Sequence, residues 1–125
     1  MKYVISLGGS MINPKTINSQ FLEDFQKIIT ESKHEFIIVC GGGVIARQYI
    51  KAGESFNAPK TRLDELGIKA TELNAELIAT ILGVRRARNI EEAINEGTTV
   101  TNGLFPGVTT DFDSVVLADL SKAEA

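Results

Sequence analysis

The sequence has no tryptophan, a single cysteine, a single histidine and three prolines. A lone Cys40 cannot close an internal disulfide, so a reducing compartment, the cytoplasm, is expected. Cys40 ends an apolar run, where it reads as a small core residue and not as a nucleophile. His34 stands between charged residues ahead of that run and reads as a solvated loop side chain. With no histidine–carboxylate cluster, no zinc site and no other metal-ligating residues are expected. Basic charge is also lacking. The formal net charge is −3, which leaves no electrostatic footprint for nucleic acid and implies no nucleic-acid partner. No apolar run approaches the length of a membrane span, so no membrane partner is expected. The stretch Met1–Ser10 is interrupted by glycine too soon to be expected to serve as a secretory leader. The strings G-x-x-x-x-G-K-(S/T) and G-x-G-x-x-G are missing, which excludes a P-loop and makes a dinucleotide oxidoreductase a poor fit. Internal repeats and low-complexity linkers are absent.

What is present is enough for a core: 125 residues, 43% of them hydrophobic. That length suits one domain, 1–125. The chain is organised around Glu35–Ile50. Phe36-Ile37-Ile38-Val39-Cys40 is an unbroken apolar run of strand length, as expected of a strand buried on both faces in a parallel sheet. Gly41-Gly42-Gly43 follows at once. Apolar residues then recur at Val44, Ile45, Ala46, Tyr49 and Ile50, which is helical spacing. A strand, a glycine turn and a helix place backbone N–H groups at a helix start, where an anion is favoured and can approach the main chain closely. Arg47, one turn in, can add a bidentate charge. The same glycines would also serve a tight strand-to-helix turn that binds nothing.

Tyr3–Leu7 is a first strand, and it too runs into glycine, at Gly8-Gly9-Ser10. Two such turns from neighbouring parallel strands open on the same sheet edge, where α/β proteins bind ligands. Between them Asn18 or Ser19 caps a helix whose buried stripe is Phe21, Leu22, Phe25, Ile28 and Ile29. After Ile50 the second helix continues to about Phe56, and Asn57-Ala58-Pro59 breaks it. Arg62–Leu82 is the longest helical stretch and is apolar over a wide arc, which suits burial between layers or in a subunit interface. From spacing alone Asp64 reads first as a charge complementing the helix dipole, and second as a ligand group. Gly83–Ala87 is a poor strand or connector. Asn89 caps a short helix, Ile90–Glu96, ended by Gly97. Thr98–Thr101 is a β-branched strand. Asn102–Val108 is a turn-rich loop, and Thr109 or Thr110 caps a last helix from Asp111 to about Lys122.

Four of these segments together resemble the amino-acid kinase superfamily, and within it the archaeal-type uridylate (UMP) kinases. They are Leu7-Gly8-Gly9-Ser10, Val39–Ile50, Pro106-Gly107-Val108-Thr109-Thr110-Asp111, and Asp64–Ala75, which is similar to a D-x-x-G-(I/M)-x-x-T-x-x-N-A helix. The resemblance implies an α/β/α three-layer sandwich with a mainly parallel sheet. It implies phosphoryl transfer from MgATP to UMP, giving UDP and ADP, with Mg2+ held mainly by the nucleotide phosphates. It implies a homo-oligomer, a hexamer in the family, with small-molecule nucleotides as partners.

Residue by residue, the resemblance gives Gly8, Gly9, Ser10, Gly43 and Arg47 to the ATP phosphates. Gly42 and Arg47 go to the acceptor phosphate, with Arg47 as the catalytic residue. Asp64 would accept hydrogen bonds from the UMP ribose. Leu104, Phe105, Pro106, Gly107, Val108, Thr109 and Thr110 would wrap the uracil and phosphate. Two positions depart from the pattern. Ser6 stands where many members carry lysine, and Val108 where an archaeal-type enzyme usually has histidine. Family members are longer, and their C-terminal portion carries the adenine pocket, introduced by a T-N-V-D-G-V-like segment. Nothing of that kind follows Asp111, so the chain reads as the N-terminal, acceptor-binding part of the domain, cut short at the C-terminus. The alternatives are a superfamily kinase for a carboxylate, carbamate or isoprenoid phosphate, or a catalytically silent nucleotide- or phosphate-binding module.

Overall fold

The structure, a computed structural model, describes residues 2–102. The expectations for Leu104–Thr110 and for the last helix lie outside the described residues. Three strands, β1 (Lys2–Leu7), β2 (Glu35–Cys40) and β3 (Thr99–Thr101), form a parallel sheet in the order β1-β2-β3. Tyr3 pairs with Phe36 and Leu7 with Cys40, while Ile37 and Val39 meet Thr99 and Thr101.

The unbroken apolar run of β2 is explained by its central position. Alternate side chains point to opposite faces of a sheet, and here both faces are covered. Ile38 and Cys40, with Leu7 and Val100, pack against Leu22 and Ile29 of α2 (Ser19–Glu31) and Ala75, Ile78 and Ala79 of α4 (Lys60–Leu82). Ile37 and Val39, with Val4, pack against Ala87 in the connection after α4 and Ala93 of α5 (Ile90–Asn95). Helix–sheet–helix is the expected three-layer order. Fully burying a side chain of this size contributes about 1.5–3 kcal/mol, so β2 is the energetic centre of the molecule.

Caps fix the helix ends. The Asn18 side chain accepts from the Phe21 amide at 3.1 Å and that of Asn89 from the Glu92 amide at 2.9 Å, each satisfying a donor that the helix itself leaves open. The last turn of α5 receives Lys2, whose ammonium donates to the carbonyls of Ile94 and Glu96 at 2.7 and 2.8 Å. Three details differ from the sequence reading. A four-residue helix, α1 (Gly9–Ile12), follows β1 directly. Helix α5 is closed by Glu96 in an extended conformation rather than by Gly97. Helix α4 starts at Lys60, with Pro59 as its cap, because proline's fixed φ suits a helix entry. Asp64 therefore lies beyond the first turn, which holds no acidic residue, and its reading as a dipole-complementing charge is corrected.

Helix α3 (Gly43–Ser55) rests mainly on α4 and α1 rather than on the sheet, and none of its residues is fully buried. The lone Cys40 is completely buried. Burial pushes its thiol up to about 12, which leaves it an inert core residue. His34 is exposed, its ring edge-on to Tyr3 with centroids 5.2 Å apart.

Candidate functional site

The two glycine turns lie against each other at the carboxyl ends of β1 and β2. The Gly41 amide donates to the Leu7 carbonyl at 2.9 Å, which continues the β1–β2 ladder into the turns. Beyond it the backbones approach so closely that no side chain fits between them. A Cβ on Gly9 would stand 2.5 Å from the Gly42 carbonyl carbon and the Gly43 nitrogen, and one on Gly43 would stand 2.5 Å from the Gly9 carbonyl carbon. Gly43 also has φ of +57°, a left-handed conformation that glycine adopts at little cost. Gly8 is different, since a Cβ there would meet nothing within 4 Å.

Arg47 joins the two turns. It is exposed, one turn into α3, and its Nη2 donates to Ser10 Oγ at 3.2 Å. Gly8, Gly9, Ser10, Gly42, Gly43 and Arg47 are thereby gathered at one edge of the sheet, where main-chain donors, a hydroxyl and a guanidinium can meet an anion.

Asp64 is not part of that cluster. Its carboxylate, on α4, pairs with Lys60 Nζ at 3.1 Å and is about a quarter exposed, at 27%. It borders a cavity of 590 Å³ lined with Thr61, Glu65, Ile68 and Lys69. Ile68 is shared with a second cavity of 710 Å³, which runs past Arg86 and Arg88 to Thr101 and Asn102 at the end of β3. Residues 104–110, expected to complete the acceptor pocket, follow Asn102 closely in sequence and lie outside the described residues.

The sequence reading gave Asn74 no role. It lies on the face of α4 beneath the central turn, 2% exposed, and its Nδ2 donates to the Gly41 carbonyl at 2.7 Å and to the Gly42 carbonyl at 3.4 Å. Thr71, one turn earlier, packs a methyl group under Gly42 and ties its own hydroxyl to the Ile68 carbonyl at 2.6 Å. The signal was present. An amide set among Ala70, Ala75 and Ile78 on an apolar helix face needs a buried partner, since burying it unbonded is costly.

A parallel α/β protein whose strand ends open on a glycine-lined edge belongs to the class that binds ligands at that edge. The chain belongs to the amino acid kinase family, whose model matches residues 1–124. It is 35% identical over 137 residues to a uridylate kinase of Methanocaldococcus jannaschii, covering 99% of this chain and 60% of that one. To a uridylate kinase of Thermoplasma volcanium it is 39% identical over 129 residues, covering 97% and 57%. The crystal structure of the Archaeoglobus fulgidus uridylate kinase superposes with a TM-score of 0.86 at 34% identity, covering 98% of this chain and 60% of that one. That of a UMP kinase from Bacillus anthracis, at 23% identity and a TM-score of 0.75, shares the fold. The chain thus spans 57 to 60% of the length of these two curated relatives. Among the described residues no helix is long and apolar enough to cross a membrane.

Proposed function

We propose that this chain is the acceptor-binding, N-terminal part of a uridylate kinase, which transfers the γ-phosphoryl group of MgATP to UMP and yields UDP and ADP. The observation that carries this reading is the interlocked pair of glycine turns with Arg47 bonded across to Ser10. Two phosphate groups that exchange a phosphoryl must lie side by side, and here the first turn and the second are in van der Waals contact.

In the proposed roles, Gly8, Gly9, Ser10 and Gly43 meet the ATP phosphates and Gly42 meets the UMP phosphate. Arg47 lies between them and stabilises the charge that develops on the transferring group. Asp64 accepts from the ribose of UMP, and residues 104–110 wrap its uracil. A phosphate oxygen is already nucleophilic, so the protein has only to position and to stabilise charge. Mg2+ would be held mainly by the nucleotide phosphates and would offset their charge. Among the described residues no three His, Cys, Asp or Glu side chains gather to hold it. A homo-oligomer is proposed through α3 and α4. The support is Tyr49 and Leu73, which are 59% and 60% exposed around an apolar depression shared with Ile45, Leu66 and Ala70.

Calorimetric titration of the purified chain with UMP, deoxy-UMP and acetylglutamate tests the proposal. The expected result is weak binding in the order UMP, then deoxy-UMP, with none for acetylglutamate, and little or no ATP-dependent UDP formation by these 125 residues alone. Equal affinity for all three would remove the nucleotide reading.

A further inference from the structure

We infer that Asn74, which is 2% exposed, is the positioning residue that aims the amide donors of the central glycine turn outward. The inference rests on the reading of that turn as the phosphate site. A trans peptide is planar, and its C=O and N–H point in opposite directions. No peptide bond among the described residues is cis. Asn74 Nδ2 holds the Gly41 carbonyl toward α4 at 2.7 Å, so the N–H of the same peptide, on Gly42, points away from α4. The Gly42 carbonyl is drawn inward by Asn74 at 3.4 Å and by the Ala46 amide at 3.3 Å, which turns the Gly43 N–H outward as well.

Glycine alone cannot hold this arrangement, because it permits both orientations of each peptide. A buried amide whose donor faces both carbonyls selects one of them. The flanking peptide needs no such device, since the Gly41 amide is already held by the Leu7 carbonyl.

Asn74→Asp separates positioning from packing. The aspartate has almost the same shape, but when ionised it repels both carbonyls, and when protonated it can donate to Gly41 again. Burial raises its pKa, so lowering the pH restores the donating acid form. The experiment follows the backbone amide resonances of Gly42 and Gly43 during titration with UMP and with inorganic phosphate, at about pH 8 and about pH 5.5. Wild-type protein at each pH serves as the reference, because the charge on the phosphate of either ligand also changes over this range.

The expected result has three parts. Both amides shift on ligand in the wild type, the Asn74→Asp affinity is about tenfold or more weaker at the higher pH, and most of that loss is recovered at the lower pH. Asn74→Leu, which has a similar shape but neither donor nor charge, gives a similar loss that no pH recovers, and it serves if the aspartate variant does not fold. Wild-type affinity in the folded donor-free variant overturns the inference, as does UMP binding that leaves both amides unmoved. Phosphate and UMP binding equally, with the amide shifts lost in the variants, leaves the inference standing and removes the nucleotide reading alone.

Discussion

Gly9 and Gly43 each occupy the space that the other's side chain would need, with hypothetical Cβ atoms 2.5 Å from the opposing backbone. Backbone on backbone cannot yield as a side-chain end can. Gly9→Ala is therefore expected to cost about 1–3 kcal/mol through overpacking. Gly43→Ala should cost about 1–2 kcal/mol more, because its φ of +57° disfavours any Cβ. Gly8→Ala, in the same motif but with open space around it, should be nearly neutral. Urea denaturation of the three variants checks this, and a Gly8→Ala loss equal to that of Gly9→Ala would contradict the interlock.

Arg47 offers a substitution that touches binding and spares the fold. It is exposed, and among the described residues its guanidinium donates to Ser10 Oγ at 3.2 Å. Arg47→Ala should leave thermal stability almost unchanged and weaken UMP by about 1.5–3 kcal/mol, the usual worth of a hydrogen bond to a charged group. Ser10→Ala should do less, since it releases the guanidinium without removing it. Calorimetry on both variants reads the difference. Undiminished UMP affinity in Arg47→Ala would take that residue out of the proposed site.

Much of this fold was legible because local signals agreed. The apolar run of β2 announced a strand buried on both faces, and Asn18 and Asn89 announced their helices by capping chemistry. Periodicity marked the buried face of α2 in part: Leu22 and Ile29 are buried, whereas Ile28, assigned to the same stripe, is 66% exposed. What stayed hidden depended on tertiary closeness. Gly9 could be read as a turn residue, but its contact with Gly43 exists only once β1 and β2 are side by side. Asn74 was visible as a letter in a motif, yet its bond to Gly41 spans 33 positions. Asp64 was misjudged as a dipole charge because the helix start depended on Pro59, whose break was assigned to the preceding loop. For Gly9 and Asn74 the missing information was a long-range contact, which spacing does not encode, whereas for Asp64 it was a local helix boundary.

Cys40 predicts an alkaline effect. Burial pushes its pKa up to about 12, above its ordinary 9.0. A raised folded-state value for an acid means that stability is intact below the unfolded value and is lost as pH rises above it. Between about pH 8 and pH 10 the unfolded thiol ionises and the folded one does not, which should remove about 1.4 kcal/mol. Cys40→Ala starts less stable, through a small cavity, but lacks this slope. The gap between the two proteins in chemical denaturation should narrow by that amount on raising the pH, whereas a constant gap would mean that the thiol ionises in place.

Leu73 tests assembly. It lies on α4 with 60% of its surface exposed, beside Tyr49 at 59%. Leu73→Glu should not disturb the core, because the buried face of α4 is formed by Ala70, Thr71, Asn74, Ala75, Ile78 and Ala79. Sizing at micromolar concentration should show an oligomer for the wild type and a smaller species for the variant. A wild-type chain that sizes as a monomer, or a variant with unchanged size, rejects this face as the contact.

Asp64→Asn distinguishes a ribose-binding carboxylate from a surface ion pair. Asp64 pairs with Lys60, whose side chain is 82% exposed, and exposed pairs contribute about 0–1 kcal/mol. The substitution should therefore leave the melting temperature nearly unchanged. Its effect on ligands should be selective. UMP presents a 2′-hydroxyl that can donate to the carboxylate, and deoxy-UMP does not. An ionised acceptor is worth more to that hydroxyl than a neutral amide, by about 1–2 kcal/mol. The preference for UMP over deoxy-UMP should consequently fall about tenfold in Asp64→Asn, with the deoxy-UMP affinity little altered. Lys60→Ala supplies the control, since it breaks the same ion pair and keeps the acceptor. If Lys60→Ala erodes the preference as much as Asp64→Asn does, the carboxylate acts through its ion pair and not on the ribose. A preference unchanged in both variants would move the sugar away from α4 altogether.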